Sequence, residues 1–229
     1  MLIFQRKENI LEKYIKILKD CPLFFDIAEE NILKMLNCLG AKVATFDKKY
    51  TVFAEGSAAM NIGIVLSGSV QIVQVDYYGN RSIISEISAP AMFGEDFACA
   101  QVGSLPISII ANEPCEVILI DCSHILHTCH NNCEFHQQMI FNLMRDLAFK
   151  NIDFHERVQV TSKRSTREKL LTYLSIEAAK CGKNEFEIRF DRQELADYLE
   201  VDRSGLSSEI GKLKKEGVID NWKNCFRLL

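Results

Sequence analysis

Hydroxyl and cationic side chains near the end of the chain are spaced so that they share one face of a helix. Leu206, Ile210 and Leu213 recur at helical spacing and predict the inward face. Serine can hydrogen-bond base edges, arginine can reach a guanine edge or a phosphate, and lysine suits phosphates. The side chains on the opposite face and its flanks that we predict to contact DNA are Arg203, Ser204, Ser207, Ser208, Lys212 and Lys215. A generic helical hairpin with a solvated charged face is the alternative.

Two short helices joined by a tight turn would hold this face in place. Asp191-x-x-Glu194 has capping-box spacing and predicts a helix from Arg192 to Leu199. Asp202 can cap a second helix from Arg203 to Glu216, which Gly217 ends. This arrangement is the pattern of a helix-turn-helix, and we expect Arg192 and Gln193 to add DNA contacts.

The residues after this pair predict a wing. Val218 to Trp222 and Cys225 to Leu228 have strand character on either side of Lys223-Asn224. A winged helix-turn-helix is therefore expected at the C-terminus.

A second group of reactive side chains lies between residues 124 and 136, which include four of the five histidines. Cysteine and histidine are good ligands for zinc or iron. The candidate cluster is Cys129, His130 and Cys133, but Cys-x₃-Cys is not a standard zinc spacing and no second dithiol lies at a fixed distance. We therefore favour a structural role over a metal site. Nothing in the sequence requires a cofactor, and the sequence does not indicate which cofactor, if any, the protein binds.

A long helical run from about Glu134 to Val160 carries a 3.5-residue repeat. A seam this narrow suits a partner helix and predicts a homodimer. Its one polar residue, Asn151, would control the register of the two helices or contact a ligand. The predicted seam residues are Ile140, Met144, Leu147, Asn151, Phe154 and Val158. The alternative is one amphipathic helix that packs on its own domain.

About eight short strands precede the long helix, with turns at regular intervals. They predict an antiparallel barrel or a double-sheet β-roll (a double-stranded β-helix), so the fold class is α+β. Such rolls also host metal-dependent enzymes, whose sites need histidines on the barrel strands. No histidine precedes His124, and no Gly-x-Ser-x-Gly, Gly-Lys-Thr or His-Glu-x-x-His motif occurs. We therefore expect no enzymatic activity.

The strand and helix patterns predict three regions: a β-roll sensor domain at 1–133, a connector helix at 134–160 and a DNA-binding domain at 161–229. The net charge of −4 is unevenly spread, since residues 161–229 carry +2 and the remainder carries −6. No run of 18 apolar residues and no signal-peptide pattern occurs, so we expect a cytoplasmic protein without a membrane partner. The nine irregularly spaced cysteines are then expected to be reduced.

Several motifs together resemble the Crp/Fnr family of transcription regulators. The segment Asp191–Leu199, followed by Val201–Ser207, is similar to the family's helix-turn-helix. Ile64–Val70 resembles a strand-turn-strand of its cyclic-nucleotide-binding-like domain, and Phe93-Gly94-Glu95 resembles the start of its effector-binding cassette. The resemblance covers nearly the whole chain in the right order. It implies a homodimer on a two-fold-symmetric operator of double-stranded DNA, with half-sites about 34–36 Å apart.

The cassette departs from the family's cyclic-AMP pattern, in which Gly-Glu is followed about ten residues later by Arg-Ser. Here Leu105-Pro106 stand at that point, and Ala98 to Pro106 contains no Lys or Arg. A buried cyclic phosphate needs such a cation, so we do not expect cyclic AMP in the usual mode. The candidate residues for an unknown small-molecule effector are Gly94, Glu95, Asp96, Phe97, Leu105, Pro106, Ile107, Lys150 and Asn151. A barrel loop without a ligand is the alternative.

Three interpretations stay open at this point. The first is a regulator whose DNA affinity depends on an effector in the β-roll, with RNA polymerase as a further partner if the protein activates transcription. The second is a redox- or metal-responsive regulator that uses Cys or His residues. The third is a ligand-binding or interaction module without DNA binding. The effector, the operator and the sign of regulation do not follow from the sequence.

Overall fold

The computed structural model describes residues 13–79, 81–126 and 134–229. Contacts divide the chain into two compact units, Met1–Leu147 and Ala148–Leu229. Among the described residues, no helix is long and apolar enough to span a bilayer.

The first unit begins with helices and continues as a set of strands. Helix α1 is Ile15–Lys19, a 3₁₀ turn covers Pro22–Phe24, and α2 is Glu29–Cys38. The strands are β1 (Lys42–Phe46), β2 (Thr51–Phe53), β3 (Asn61–Ser67), β4 (Ser69–Val75), β5 (Arg81–Ser88), β6 (Met92–Phe93), β7 (Ser108–Ala111) and β8 (Cys115–Asp121). Two short helices lie among them, α3 (Glu95–Cys99) and α4 (Cys122–Leu126).

These strands form two antiparallel sheets with the orders β1-β8-β3-β6 and β2-β7-β4-β5. Apolar side chains from both sheets share one core: Ala44, Phe46, Val65, Val70, Phe93, Ile107, Ile109, Ala111, Cys115 and Val117. The predicted antiparallel β-roll is therefore confirmed. Gly63 is required where β3 meets β6, because a Cβ there would lie 2.0 Å from the Phe93 ring.

A second core explains why β3 is apolar on both faces. Val65 points into the core between the sheets, whereas Ile62, Ile64 and Leu66 belong to a cluster that includes residues of the helices. A strand that is covered on both faces loses the alternation of a half-exposed strand. The helical residues of this cluster include Leu18, Ile32, Leu36, Met139 and Leu143.

Helix α5, Glu134–Thr161, begins in the first unit and ends in the second. Its buried Asn142 amide donates to the carbonyl oxygens of Leu23 at 3.1 Å and Phe25 at 2.7 Å. At its other end Val160 is fully buried in the core of the second unit, and Glu156 pairs with Lys180 at 2.5 Å. The three-region division at 133/134 and 160/161 stays a prediction.

The second unit continues with α6 (Thr166–Cys181), β9 (Glu185–Glu187), α7 (Arg192–Leu199), α8 (Arg203–Lys215), β10 (Ile219–Trp222) and β11 (Cys225–Leu228). The strands form an antiparallel sheet in the order β10-β11-β9. Strand β9 is only three residues long, since the chain leaves the sheet before α7. The wing strands form where the sequence predicts them.

Candidate functional site

The helix pair α7–α8 is held by caps that the sequence encodes locally. Asp191 Oδ1 accepts from the backbone N–H groups of Gln193 at 2.7 Å and Glu194 at 2.8 Å, and Glu194 Oε2 accepts from the Asp191 N–H at 2.8 Å. This capping box fixes the start of α7. Asp202 Oδ2 accepts from the Gly205 N–H at 2.9 Å and so begins α8.

The tight turn between these helices depends on Glu200 and on a contact from another helix. Glu200 adopts a left-handed conformation at φ +53°. Lys169 Nζ on α6 donates to the Leu199 carbonyl at 2.9 Å and to the Glu200 carbonyl at 3.3 Å. A cation on the last carbonyls of a helix opposes the negative end of its dipole. Sequence reasoning missed Lys169, because it lies 30 residues before Leu199.

The exposed face of α8 carries the side chains that we expect to contact DNA. Leu206, Ile210 and Leu213 are buried, as their spacing predicts. The predicted DNA contacts on α8 are all exposed, namely Arg203, Ser204, Ser207, Ser208, Lys212 and Lys215, and Gln193 is exposed at the start of α7. Lys212 also pairs with Glu209 at 3.3 Å. The helix thus presents cations and hydroxyls together on one solvent-facing surface.

Arg192 differs from the other predicted DNA contacts, because it is half-buried. Its guanidinium lies 5.8 Å from the centre of the Phe226 ring, and its Nη1 has no hydrogen-bond partner among the described residues. Burial, followed by the nearby charge of Arg203, lowers the pKa of Arg192 below its usual value. The Arg192 side chain therefore packs partly against the wing strand that carries Phe226.

The wing exposes one large aromatic side chain. Trp222 is 76% exposed at the end of β10, next to Lys223, whose φ of +53° closes the turn. Lys214 of α8 pairs with Asp220 of β10 at 2.7 Å and donates to the Asn221 carbonyl at 3.0 Å. Lys214 therefore links the wing to α8.

The cassette residues in the first unit surround a short helix that begins after a left-handed glycine. Gly94 has φ +78°, and a Cβ there would lie 3.2 Å from Phe53 Cε2 and 3.3 Å from the Asn61 carbonyl. Glu95 follows and is only 3% exposed, whereas Asp96 is exposed. Phe97 is half-buried and packs against the core between the sheets. Only glycine fits this junction without strain.

The segment after α3 supplies no cation to this pocket. Leu105 is buried, and its backbone is paired on both sides: its N–H donates to the Ser57 carbonyl and its carbonyl accepts from the Gly56 N–H, each at 2.9 Å. Pro106 is exposed and Ile107 is buried. The position at which the family pattern places arginine is thus occupied by an apolar side chain that belongs to the core. Lys150 and Asn151 lie on α5 in the second unit, and their place in the pocket stays a prediction.

The predicted seam residues on α5 fall into two groups. Met144, Asn151, Phe154 and Val158 are exposed, whereas Ile140 and Leu147 are half-buried. Leu147 packs against the helical core of the first unit. Sequence reasoning missed Phe141 and Ile152, which are also exposed and lie on the outward side of the helix. Phe141 and Ile152 are eleven residues apart, about three helical turns, and this spacing in the sequence predicts that they lie on the same side of the helix.

The Cys/His cluster at Cys129, His130 and Cys133 lies outside the described residues. Two neighbouring histidines are described, and both make backbone contacts: His124 Nδ1 lies 2.9 Å from the Leu39 carbonyl and His136 Nε2 lies 2.7 Å from the Ile125 carbonyl. In the described part of the chain, no group of three or more His, Cys, Asp or Glu side chains could hold a metal ion.

Comparison with known proteins agrees with this architecture. The chain matches two family models, a cyclic nucleotide-binding domain over residues 43–132 and a Crp-like helix-turn-helix domain over residues 168–229. No curated protein sequence matches it significantly.

Solved structures with a similar fold share little sequence with this chain. DNR from Pseudomonas aeruginosa is 19% identical, with a TM-score of 0.51, and the alignment covers 98% of this chain and 96% of DNR. The c-di-GMP responsive global regulator CLP from Xanthomonas campestris is 14% identical, with a TM-score of 0.53 and coverages of 87% and 98%. CprK complexed with OCPA is 15% identical, with a TM-score of 0.59 and coverages of 85% and 88%. Likeness at these identities establishes the fold alone.

The two family models lie in the order in which the structure shows a β-roll and a helix-turn-helix, with a long helix between them. This is the architecture of a DNA-binding transcription regulator with an effector-binding domain. The chain therefore belongs to the Crp/Fnr family of transcription regulators.

Proposed function

We propose that this protein binds a two-fold-symmetric DNA operator as a homodimer and that a small-molecule effector in the β-roll controls its DNA affinity. The observation that carries the proposal is the exposed face of α8, on which cations and hydroxyls lie together while the apolar face is buried. Such a face can enter a major groove, hydrogen-bond base edges and neutralise phosphates. As a regulator of this kind it would act on DNA in the cytoplasm, with no catalytic step of its own.

Dimerisation is expected through α5. Met144, Ile152, Phe154 and Val158 are all at least 44% exposed on this helix, although apolar side chains of this size are normally buried. Several exposed apolar side chains on one helix favour an interaction site there. A second copy of the same helix would cover it, and Asn151 would then lie within the seam.

Cyclic AMP in the family's usual mode is not the proposed effector. The described cassette carries acidic side chains, Glu95 and Asp96, and the apolar Leu105 where a cation would be needed. A cyclic phosphate placed there would be desolvated without a positive partner, which is unfavourable. An uncharged or apolar effector fits this environment better. RNA polymerase is the further partner that activation of transcription would require.

Arg203 offers a direct test of the DNA-binding face. The purified protein should bind its own upstream region, and Arg203→Ala should weaken that binding by about 5- to 150-fold, which corresponds to about 1–3 kcal/mol for one good base contact. Because both subunits of the dimer carry the substitution, the loss doubles to about 2–6 kcal/mol, or at least about 30-fold, when both half-sites are bound. Fluorescence anisotropy at several salt concentrations measures both the affinity and its salt dependence. Lys183→Ala removes the same charge from an exposed position outside this face and should leave the affinity nearly unchanged.

Equal loss of affinity in the Arg203 and Lys183 variants would show that the contact is only general electrostatic attraction. No binding of the wild type to any DNA at low salt would refute the proposed function itself. Adding a chelator or a reductant separates the remaining interpretations. Specific binding that survives both treatments supports an effector site in the β-roll, whereas binding switched by either supports a metal or thiol signal.

A further inference from the structure

Two cysteine thiols that are distant in sequence touch in the first unit. Cys99, the last residue of α3, and Cys122, the first residue of α4, lie with their Sγ atoms 3.7 Å apart. A disulfide bond is about 2.05 Å long, so the sulfurs would need to approach by about 1.7 Å. Cys122 is 3% exposed and Cys99 is half-buried.

A cavity of about 370 Å³ opens beside the pair, and Cys122 is part of its lining. Its other walls are mostly small apolar side chains, among them Ala58, Met60, Val102 and Leu126. The charged residue in the lining is Asp121, whose Oδ1 accepts from the Ser123 N–H at 2.9 Å and from the Ser123 hydroxyl at 2.6 Å. The other side chains that line the cavity carry no charge. The cavity therefore suits a small, uncharged organic molecule.

The two thiols are not equivalent. The hydrogen bond from Cys122 lowers the pKa of Cys99, although burial and the carboxylates of Glu95 and Asp96 oppose this. The same interaction, together with burial, raises the pKa of Cys122 above its usual value. The thiolate is the reactive form of cysteine. Cys99 is also the more exposed of the two thiols and ends a short helix, so we assign it as the attacking sulfur, with Cys122 in position to resolve the product.

We propose that Cys99 and Cys122 form a redox-active dithiol site that a small organic hydroperoxide, entering through the adjacent cavity, oxidises to a disulfide. The Cys99 thiolate attacks the terminal peroxide oxygen, an S–O bond forms, the O–O bond breaks, and the alkoxide leaves and takes a proton to become the alcohol. The Cys122 sulfur then attacks the Cys99 sulfur and displaces hydroxide. Its own proton leaves with that hydroxide as water. Two thiols are oxidised and one hydroperoxide is reduced to one alcohol and one water.

The dithiol site adjoins the cassette, and Ala98 and Gln101 on either side of Cys99 line the cavity beside the pair. Helix α3 is five residues long, begins with the buried Glu95 directly after Gly94, and ends with Cys99. We expect that bringing Cys99 toward Cys122 shifts this short helix, which forms part of the cassette. The dithiol would act as a second input to the same domain, in addition to the proposed effector.

Oxidation of the full-length reduced protein tests the assignment directly. After treatment with tert-butyl hydroperoxide, mass spectrometry of alkylated protein should show loss of two titratable thiols, and peptide mapping should find a Cys99–Cys122 disulfide. Cys99→Ser should abolish the reaction. Cys122→Ser should stop at a Cys99 sulfenic acid, which dimedone traps. Cys38→Ser and Cys181→Ser remove exposed thiols and should leave the disulfide unchanged.

The role of the cavity has its own measurement. Hydrogen peroxide does not gain from apolar walls, so tert-butyl hydroperoxide should react at least several-fold faster at equal concentration. Equal rates would overturn the cavity as the entry site. Oxidation of Cys38 or Cys181 before Cys99, or reaction of the pair only after unfolding, would overturn the dithiol assignment. These thiol readouts need no DNA, so their failure is distinct from failure of the proposed function.

Discussion

The anchor of α5 in the first unit depends on one buried amide. Asn142 is 1% exposed, and its Nδ2 donates to two carbonyls that lie 119 and 117 residues earlier in the chain. Asn142→Leu keeps the branched shape and the number of side-chain heavy atoms but removes both N–H donors. A buried group left without its partner costs about 1–3 kcal/mol. Because the contact to Leu23 is buried and that to Phe25 is only partly buried, the cost for Phe25 lies near the lower limit. We expect the variant to lose about 2–4 kcal/mol of unfolding free energy.

Urea unfolding of the full chain, combined with hydrogen exchange, measures this loss. Exchange should accelerate in the first half of α5 and near Leu23, while the second unit should keep its protection. Gln138→Ala provides a matched control, since it removes one partly buried hydrogen bond to Asn142 Oδ1, of 3.1 Å, and should cost about 0.5–1.5 kcal/mol. If Asn142→Leu were as stable as the wild type, the amide would not anchor the helix and the reasoning would be refuted.

Two further predictions concern the dimer and acid stability. Phe154→Asp replaces a side chain that is 63% exposed on α5, and it should weaken dimerisation by at least about 30-fold, as for an interface hot spot. Sedimentation equilibrium measures the dimer dissociation constant, and Trp222→Asp, which replaces an exposed aromatic side chain on the wing, is the control. If both substitutions weakened the dimer equally, or neither weakened it, a seam on α5 would be contradicted. A hydrogen bond from the Tyr14 hydroxyl and, to a smaller extent, the charge of Lys13 hold the pKa of Glu116 below its usual value. The Glu116 carboxylate therefore stabilises the fold above about pH 4.5, and this stabilisation is lost as the pH falls through the lowered pKa. Glu116→Gln should flatten the pH dependence of the melting temperature in that acidic range, and an unchanged profile would rule out this linkage.

Much of the DNA-binding unit could be predicted because its determinants are local. Asp191 and Glu194 form their capping box across three residues, and Asp202 caps α8 over the same span. The apolar spacing of Leu206, Ile210 and Leu213 specifies which face of α8 is buried. Interactions between residues three or four apart are encoded in spacing alone.

The seam on α5 could be predicted only in part. The 3.5-residue repeat includes Ile140 and Leu147, which the structure places partly against their own unit, whereas Phe141 and Ile152 are exposed. An apolar repeat does not specify which surface buries it, since the same side chains can pack against the core of their own domain or against a partner helix. The dimer itself therefore stays a proposal.

The sequence by itself determined the order of the parts, the helix caps, the recognition face and the lack of a cation between Ala98 and Pro106. Only the tertiary structure decided which distant groups meet. Cys99 and Cys122 touch across 23 residues, and Asn142 reaches the Leu23 carbonyl across 119. Caps and turns are satisfied by neighbours along the chain, so their chemistry is visible in spacing. Contacts between separate elements depend on how the sheets and helices pack, which no local pattern specifies.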